Sequence, residues 1–225
     1  MTTPRFNGFQ LIHKALRLML FETGTSLQRN DFLNSEQTVP LMDRLKTILG
    51  YYEDHARHEN TFILPQVAKQ NPDFIKDFES DHEADHRLVQ QLLSNISKWE
   101  QAGSDEEKIE AGKQIFYGFN EFTAFNLYHM NKEEKVLNTE IWKHFSDEEI
   151  MGWSQKIIQS IPVEKLMAQN HWMFRAISAG EALLMLQGVA KMAPPEVAHE
   201  YQKIAEQELL PEQWELVKRN LGMTA

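Results

Sequence analysis

The chain has 225 residues, with 33 acidic against 23 basic side chains, a formal net charge of −10 and no cysteine. That balance argues against nucleic acid, whose binders gather Lys and Arg into a patch or stripe, and no basic run here exceeds a pair. Without cysteine there are no disulfides, iron–sulfur clusters, thiolate zinc sites or cysteine nucleophiles, so any bound metal must be held by nitrogen and oxygen.

The apolar period is helical throughout. A first helix is expected over about Phe6 to Glu22, followed by the polar stretch TGTSLQRNDFLNSEQT. A second runs from near Val39 to Lys69 and stops at Asn71-Pro72, where proline resists continuation. The third covers about Pro72 to Gln101 and ends at Ala102-Gly103-Ser104. Ser104-Asp-Glu-Glu reads as a capping box that opens a long fourth helix reaching Phe145, and Ser146-Asp-Glu-Glu opens a fifth. Beyond Ser146 the helices shorten and are punctuated by Pro162, Pro194-Pro195 and Pro211. The expected architecture is all-α: an antiparallel up-down four-helix bundle over 1–145, and an accessory helical extension over 146–225 packed on it. No stretch is long and apolar enough to predict a membrane span, and the N-terminus lacks the unbroken apolar core of a signal peptide. A soluble, cytoplasmic protein is the expectation.

Advancing 100° per residue places each side chain around its helix. In the second helix Leu41, Leu45, Ile48, Tyr52 and Ile63 share a direction, and Glu59 points along its centre. His55 lies about 40° aside and His58 about 100° away, at the margin. In the first helix His13 falls among Phe6, Phe9, Leu16 and Leu20. In the third, Ile75, Phe78, Val89, Leu93 and Ile96 surround His82, with His86 one turn on and still inward. In the fourth, Ile115, Phe122, Phe125 and Val136 flank His129 and Glu133. One histidine on an apolar face is ordinarily a hydrogen-bonded core residue. Five such histidines and two inward glutamates over four helices need many buried partners at once, and one or two cations in the bundle satisfy them together. The pairs His55/Glu59, His82/His86 and His129/Glu133 all have the i, i+4 spacing that lets two ligands converge from one helix.

This pattern resembles the hemerythrin family, in its bacterial form the HHE cation-binding domain. The resemblance is carried by His13, His55-x3-Glu59, His82-x3-His86, and His129 with a glutamate four or five places on, over residues 6 to about 145. It implies a four-helix bundle with two non-heme irons, bridged by oxo or hydroxo and by carboxylate. By resemblance His13, His55, His82, His86 and His129 are the imidazole ligands and Glu59 the bridging carboxylate. The last ligand is Glu133 or Glu134: oxygen-carrying members place it five residues after the histidine, iron-sensing and nitric-oxide-responsive ones four. Helix geometry favours Glu133, about 40° from His129, over Glu134 at about 140°. The ferritin-like pattern, with Glu-x-x-His on each of two helices, is not met: Glu79-x-x-His82 and Glu83-x-x-His86 both fall on the third helix.

The resemblance implies binding or sensing of oxygen, nitric oxide, peroxide or iron. The alternatives are a di-iron enzyme that consumes peroxide or reduces nitric oxide, and an iron-responsive protein that contacts a partner or a second copy through 146–225. A binding protein is favoured over an enzyme, because five neutral imidazoles and two carboxylates give less support to high-valent iron than a carboxylate-rich set. His58 is read as a solvated bystander, Tyr52 and Tyr128 as core, and His144 and His199 as surface. Residues 170–175 are read as covering one end of the bundle.

Overall fold

A computed structural model describes residues 5–222, so Met1–Pro4, part of the N-terminal stretch considered above, lie outside the described residues. The described residues are helical, with no strand among them. None of the described helices is long and apolar enough to cross a membrane. Backbone packing divides the chain into two units. The first contains residues up to Gly8 and Met19–Ile157; the second contains Phe9–Leu18 and the residues from Ile158 on.

In the first unit lie most of α1 (Gln10–Arg29), then α2 (Ser35–His58), a π-turn π1 (Glu59–Ile63) and α3 (Leu64–Ala68), which continues the same path. After the Asn71-Pro72 break come α4 (Lys76–Gln101) and α5 (Asp105–Lys132). A second π-turn π2 (Glu133–Leu137) leads from α5 into α6 (Asn138–His144), and α7 (Asp147–Ser160) follows. Local chemistry sets the ends. Asn34 caps α2 by accepting from the Gln37 amide, and Ser104 caps α5 by accepting from the Glu107 amide. At α7 the reciprocal box is complete: the Glu149 amide donates to Ser146 Oγ, and the Ser146 amide to Glu149 Oε2.

α1 runs a full two turns past its expected end at Glu22, through the polar Thr23-Gly24-Thr25-Ser26. Tertiary burial overrides local propensity here: Thr23 and Leu27 are buried, and Gly24 lies against the Phe119 ring. Thr25 and Ser26 hydroxyls donate to the carbonyls of Phe21 and Glu22, four residues back, and so settle inside the helix. Farther along, Asn30 Nδ2 donates to Thr38 Oγ1 and Glu22 faces Arg44 across to α2. α2 and π1 meet α4 through Lys46 with Glu100, Glu53 with Gln90, and Asn60 with His82. α4 packs along α5 through Asn95 with Gln114, Asp85 with Asn126, and Asp81 with Lys132. In each of these pairs residue numbers fall along one helix as they rise along the other. Gly112 on α5 is required by a close approach, since a Cβ there would sit 2.3 Å from the Phe32 ring.

Two stripes differ from the even 100° advance. The buried line on α4 passes through Phe78, His82, Asp85, Val89, Leu92, Ile96 and Trp99, in alternating steps of four and three. It takes in Asp85 and Leu92 where His86 and Leu93 were expected, and His86 is exposed. The π-turns cause the second difference. Leu64 N–H bonds back to Glu59 C=O and Asn138 N–H to Glu133 C=O, five residues rather than four. Each turn therefore holds one extra residue, and the buried stripe moves on by one: Leu64 in place of Ile63, and Leu137 in place of the exposed Val136.

The second unit contains α8 (Val163–Ala176), α9 (Ala179–Met192), α10 (Pro195–Glu208) and α11 (Pro211–Leu221). Its own core is Phe174, Ile177, Ala182, Leu186, Tyr201, Ile204, Leu209, Trp214 and Val217, with Leu11 from the start of α1 against it. Phe174, from the stretch expected to cover the bundle, is thus a core residue of this unit, and His171 and Arg175 both face Glu208. Glu181 ties the unit together. It completes the Ser178 capping box on α9 and accepts from Lys14 and Gln10. Burial works against its charge, but Lys14 and Ser178 hold its carboxyl down at about 2.

Candidate metal centre

α2, α4 and α5 each turn a histidine or glutamate into the first unit's core at the same level. Glu59 and Glu133 are fully buried, at 1% and 0% exposure, and each is the first residue of a π-turn, at the point where its helix widens. π-turns of this kind recur at functional sites because the extra residue re-aims the backbone without ending the helix. Both are preceded at i−4 by a histidine: His55 Nε2 lies 3.2 Å from Glu59 Oε1, and His129 Nε2 lies 3.0 Å from Glu133 Oε1. His82 completes the arrangement from α4. Its Nε2 is 3.1 Å from Glu59 Oε2 and 3.6 Å from Glu133 Oε1. Glu59 thus presents one oxygen to His55 and the other to His82.

Donor atoms of Glu59, His82, His129 and Glu133 all lie within 4.8 Å of one another. Donors that share one ion at about 2.0–2.2 Å sit roughly 3–4 Å apart, so the group has the dimensions of a metal site. Polar satisfaction points the same way. His82 Nε2 is buried and faces the carboxylates of Glu59 and Glu133. Two fully buried carboxylates facing imidazoles are costly unless a positive charge sits between them. In the metal-free protein protons do that work. Burial acts against the His82 imidazolium, but Glu133 and Glu59 prevail and raise it to about 10. His129 is raised in the same way, against burial, by Glu133 and Glu59.

The remote ring nitrogens are held. His82 Nδ1–H donates to Asn60 Oδ1 at 2.7 Å, and His129 Nδ1–H faces Asp81 Oδ2 at 3.3 Å, which also takes Lys132 at 2.7 Å. A proton fixed on Nδ1 leaves the Nε2 lone pair directed at the centre. Neither Asn60 nor Asp81 was found by sequence reasoning. Asp81 next to His82 and Asn60 next to Glu59 were the available signals, but i, i+1 neighbours point apart on one helix, and their partners lie on other helices. Asn60→Ala is expected to leave the fold intact and weaken metal binding about 10- to 100-fold, as loss of such an orienting partner typically does, measured by competitive titration against a chromogenic chelator. Unchanged affinity would remove Asn60 from the site.

The other expected residues fall as follows. Glu134 is half-buried in π2 and outside the group. His86 is not inward: its side chain is 62% exposed, with Nδ1–H donating to Glu53 Oε1 at 2.9 Å. Asp85 occupies the inward position instead and accepts from Asn126 Nδ2 at 2.6 Å. Burial raises its carboxyl, with Asn126 acting in the opposite sense. His13 is buried near the start of α1 in the second unit, 5.5 Å from the Phe9 ring. His58, expected to be solvated, is buried beside Arg57 and Phe62, and is not part of the group. Tyr52 packs edge-on to Phe122 in the core as expected, whereas Tyr128 is 80% exposed.

Comparison with curated proteins gives no significant match. The sequence model of the Hemerythrin HHE cation binding domain matches residues 8–141, well over half the chain and the stretch that supplies every histidine and glutamate of the centre. The paired His-x3-Glu turns and their shared buried carboxylates therefore have a family: the chain belongs to the hemerythrin HHE cation-binding domain proteins.

Proposed function

We propose that the chain is a di-iron protein of up-down four-helix type that binds or senses a small ligand such as oxygen, nitric oxide or peroxide, or iron itself. The observation that carries this reading is Glu59, buried at the centre with its two oxygens directed at histidines of two different helices, as a carboxylate bridging two ions must be. The proposed ligand set is His82 and His129 for one ion, His55 and His13 for the other, and Glu59 and Glu133 shared between them. Imidazole and carboxylate together suit borderline ions such as iron, which supplies redox chemistry and room for a small exogenous ligand. The chain's own contribution is to fix the donors. Asn60 and Asp81 set the tautomers of His82 and His129, and the π-turns aim Glu59 and Glu133.

One feature favours binding over oxygenation: the set is richer in imidazole than in carboxylate. Metal analysis of the purified protein, joined to its optical spectrum without and then with oxygen, tests the proposal. About two irons per chain and bands that appear with oxygen are expected. Stoichiometric zinc and an unresponsive spectrum would sink it, and sustained peroxide consumption would shift the reading to the enzyme.

A further inference from the structure

A cleft of about 1000 Å³ opens on the first unit between π1 and α4. Asn60 and Thr61 form part of one wall; Glu79, His82 and Glu83 lie on the other. Of the four residues grouped at the centre, His82 alone lines it. His82 is 6% exposed, with its Nδ1–H held by Asn60 at the cleft and its Nε2 turned to Glu59 Oε2 at 3.1 Å and Glu133 Oε1 at 3.6 Å, so the cleft ends on the residue that joins it to the centre.

The lining is acidic in balance. Arg57 is engaged by Asp54 at 2.8 Å, and Arg87 is the other guanidinium. Against them stand Glu53, Glu79 and Glu83, the last two exposed and one turn apart on α4. An acidic mouth raises the local concentration of cations and speeds their approach. Size is no obstacle, because a cation with six waters occupies roughly 200 Å³ at about 30 Å³ per water.

We propose that this cleft is the loading route of the metal centre: a hydrated divalent cation is drawn in past Glu79 and Glu83 and is first captured by His82. The inference rests on the metal reading above and adds the path and the order of capture. His86, exposed on the rim and bonded to Glu53, belongs to the route and stays outside the resident ligand set.

The test uses the metal-free full chain and Co²⁺ alone as probe, followed by stopped-flow absorbance. Glu79→Gln/Glu83→Gln is expected to slow Co²⁺ association about three- to tenfold at low salt, with the same final stoichiometry and with the difference gone near 1 M salt. Ala68→Trp, which fills the outer wall, is expected to slow loading at both salt concentrations. Glu106→Gln/Glu110→Gln, the same charge change at the far end of α5, is expected to load at the parent rate. If both cleft variants load at the parent rate, or if Glu79→Gln/Glu83→Gln lowers the final Co²⁺ content, the route is overturned while the metal centre stands. A parent chain that takes up no Co²⁺ overturns the metal reading itself.

Discussion

Glu59→Ala protein is expected to purify with no bound metal, where the proposed di-iron centre gives the parent about two ions per chain. A carboxylate shared between two ions anchors both, so its loss empties both positions, whereas loss of one imidazole empties one. With free metal at about 1,000 times its dissociation constant, each ion adds roughly 4 kcal/mol to stability, about 8 kcal/mol for two, and a chain of this size then loses about 20 °C in Tm when both are lost. Without metal the comparison changes. Glu59 is buried, and its attraction to the His82 imidazolium is offset by the cost of stripping water from both charges. Glu59→Gln keeps the volume and removes the charge, so it is expected to unfold within a few degrees of the metal-free parent. Plasma emission analysis and thermal melts with and without a chelator measure all of this. A Glu59→Ala chain that keeps two ions sinks the bridging role; so does an equal loss of Tm in loaded and chelated protein, which would make Glu59 a packing residue. His58→Ala is the matched control. It should keep its metal and lose about 1–2 kcal/mol, because His58 is buried between Arg57 and Phe62.

The helix-period reading turned Glu59, His82, His129 and Glu133 inward because the helix is regular up to each of them, and there position in the sequence maps directly to direction. It had no means of seeing where the mapping changes. His86 fails because the stripe on α4 steps four then three residues, which carries it through Asp85. Ile63 and Val136 fail because π1 and π2 each hold an extra residue. The turns have no sequence signature of their own. What forces them is tertiary: Glu59 and Glu133 must face the core while Leu64 and Leu137 are buried beyond them, and a regular helix cannot satisfy both. Asn60 and Asp81 were invisible for the complementary reason, being neighbours of ligands in sequence that serve histidines on other helices. Tyr128 and His58 show the same limit at the margins, where about 20–40° decides between core and solvent.

Metal uptake is expected to release protons, and the stabilisation it confers should grow with pH. In the metal-free chain His82 is raised from its ordinary value of 6.5 to about 10 by Glu133 and Glu59 acting against burial. A group whose folded value is raised contributes stability that is fully present below 6.5 and is lost as pH rises through about 10. The metal-free protein should therefore lose stability steadily between those limits, as the positive charge that His82 places between two buried carboxylates is withdrawn. A bound cation replaces that proton and removes the dependence in this window, because ligating imidazoles are neutral. The gap in Tm between loaded and chelated protein should thus widen from pH 6.5 to pH 9. Titration calorimetry in two buffers of different ionisation enthalpy should show about one proton released per ion at pH 7.5. A chelated protein whose Tm is flat or rising over that range would mean that His82 is already neutral in the fold. The two buried carboxylates would then be held by some other charge, and the case for a cation between Glu59 and Glu133 would lose its electrostatic basis.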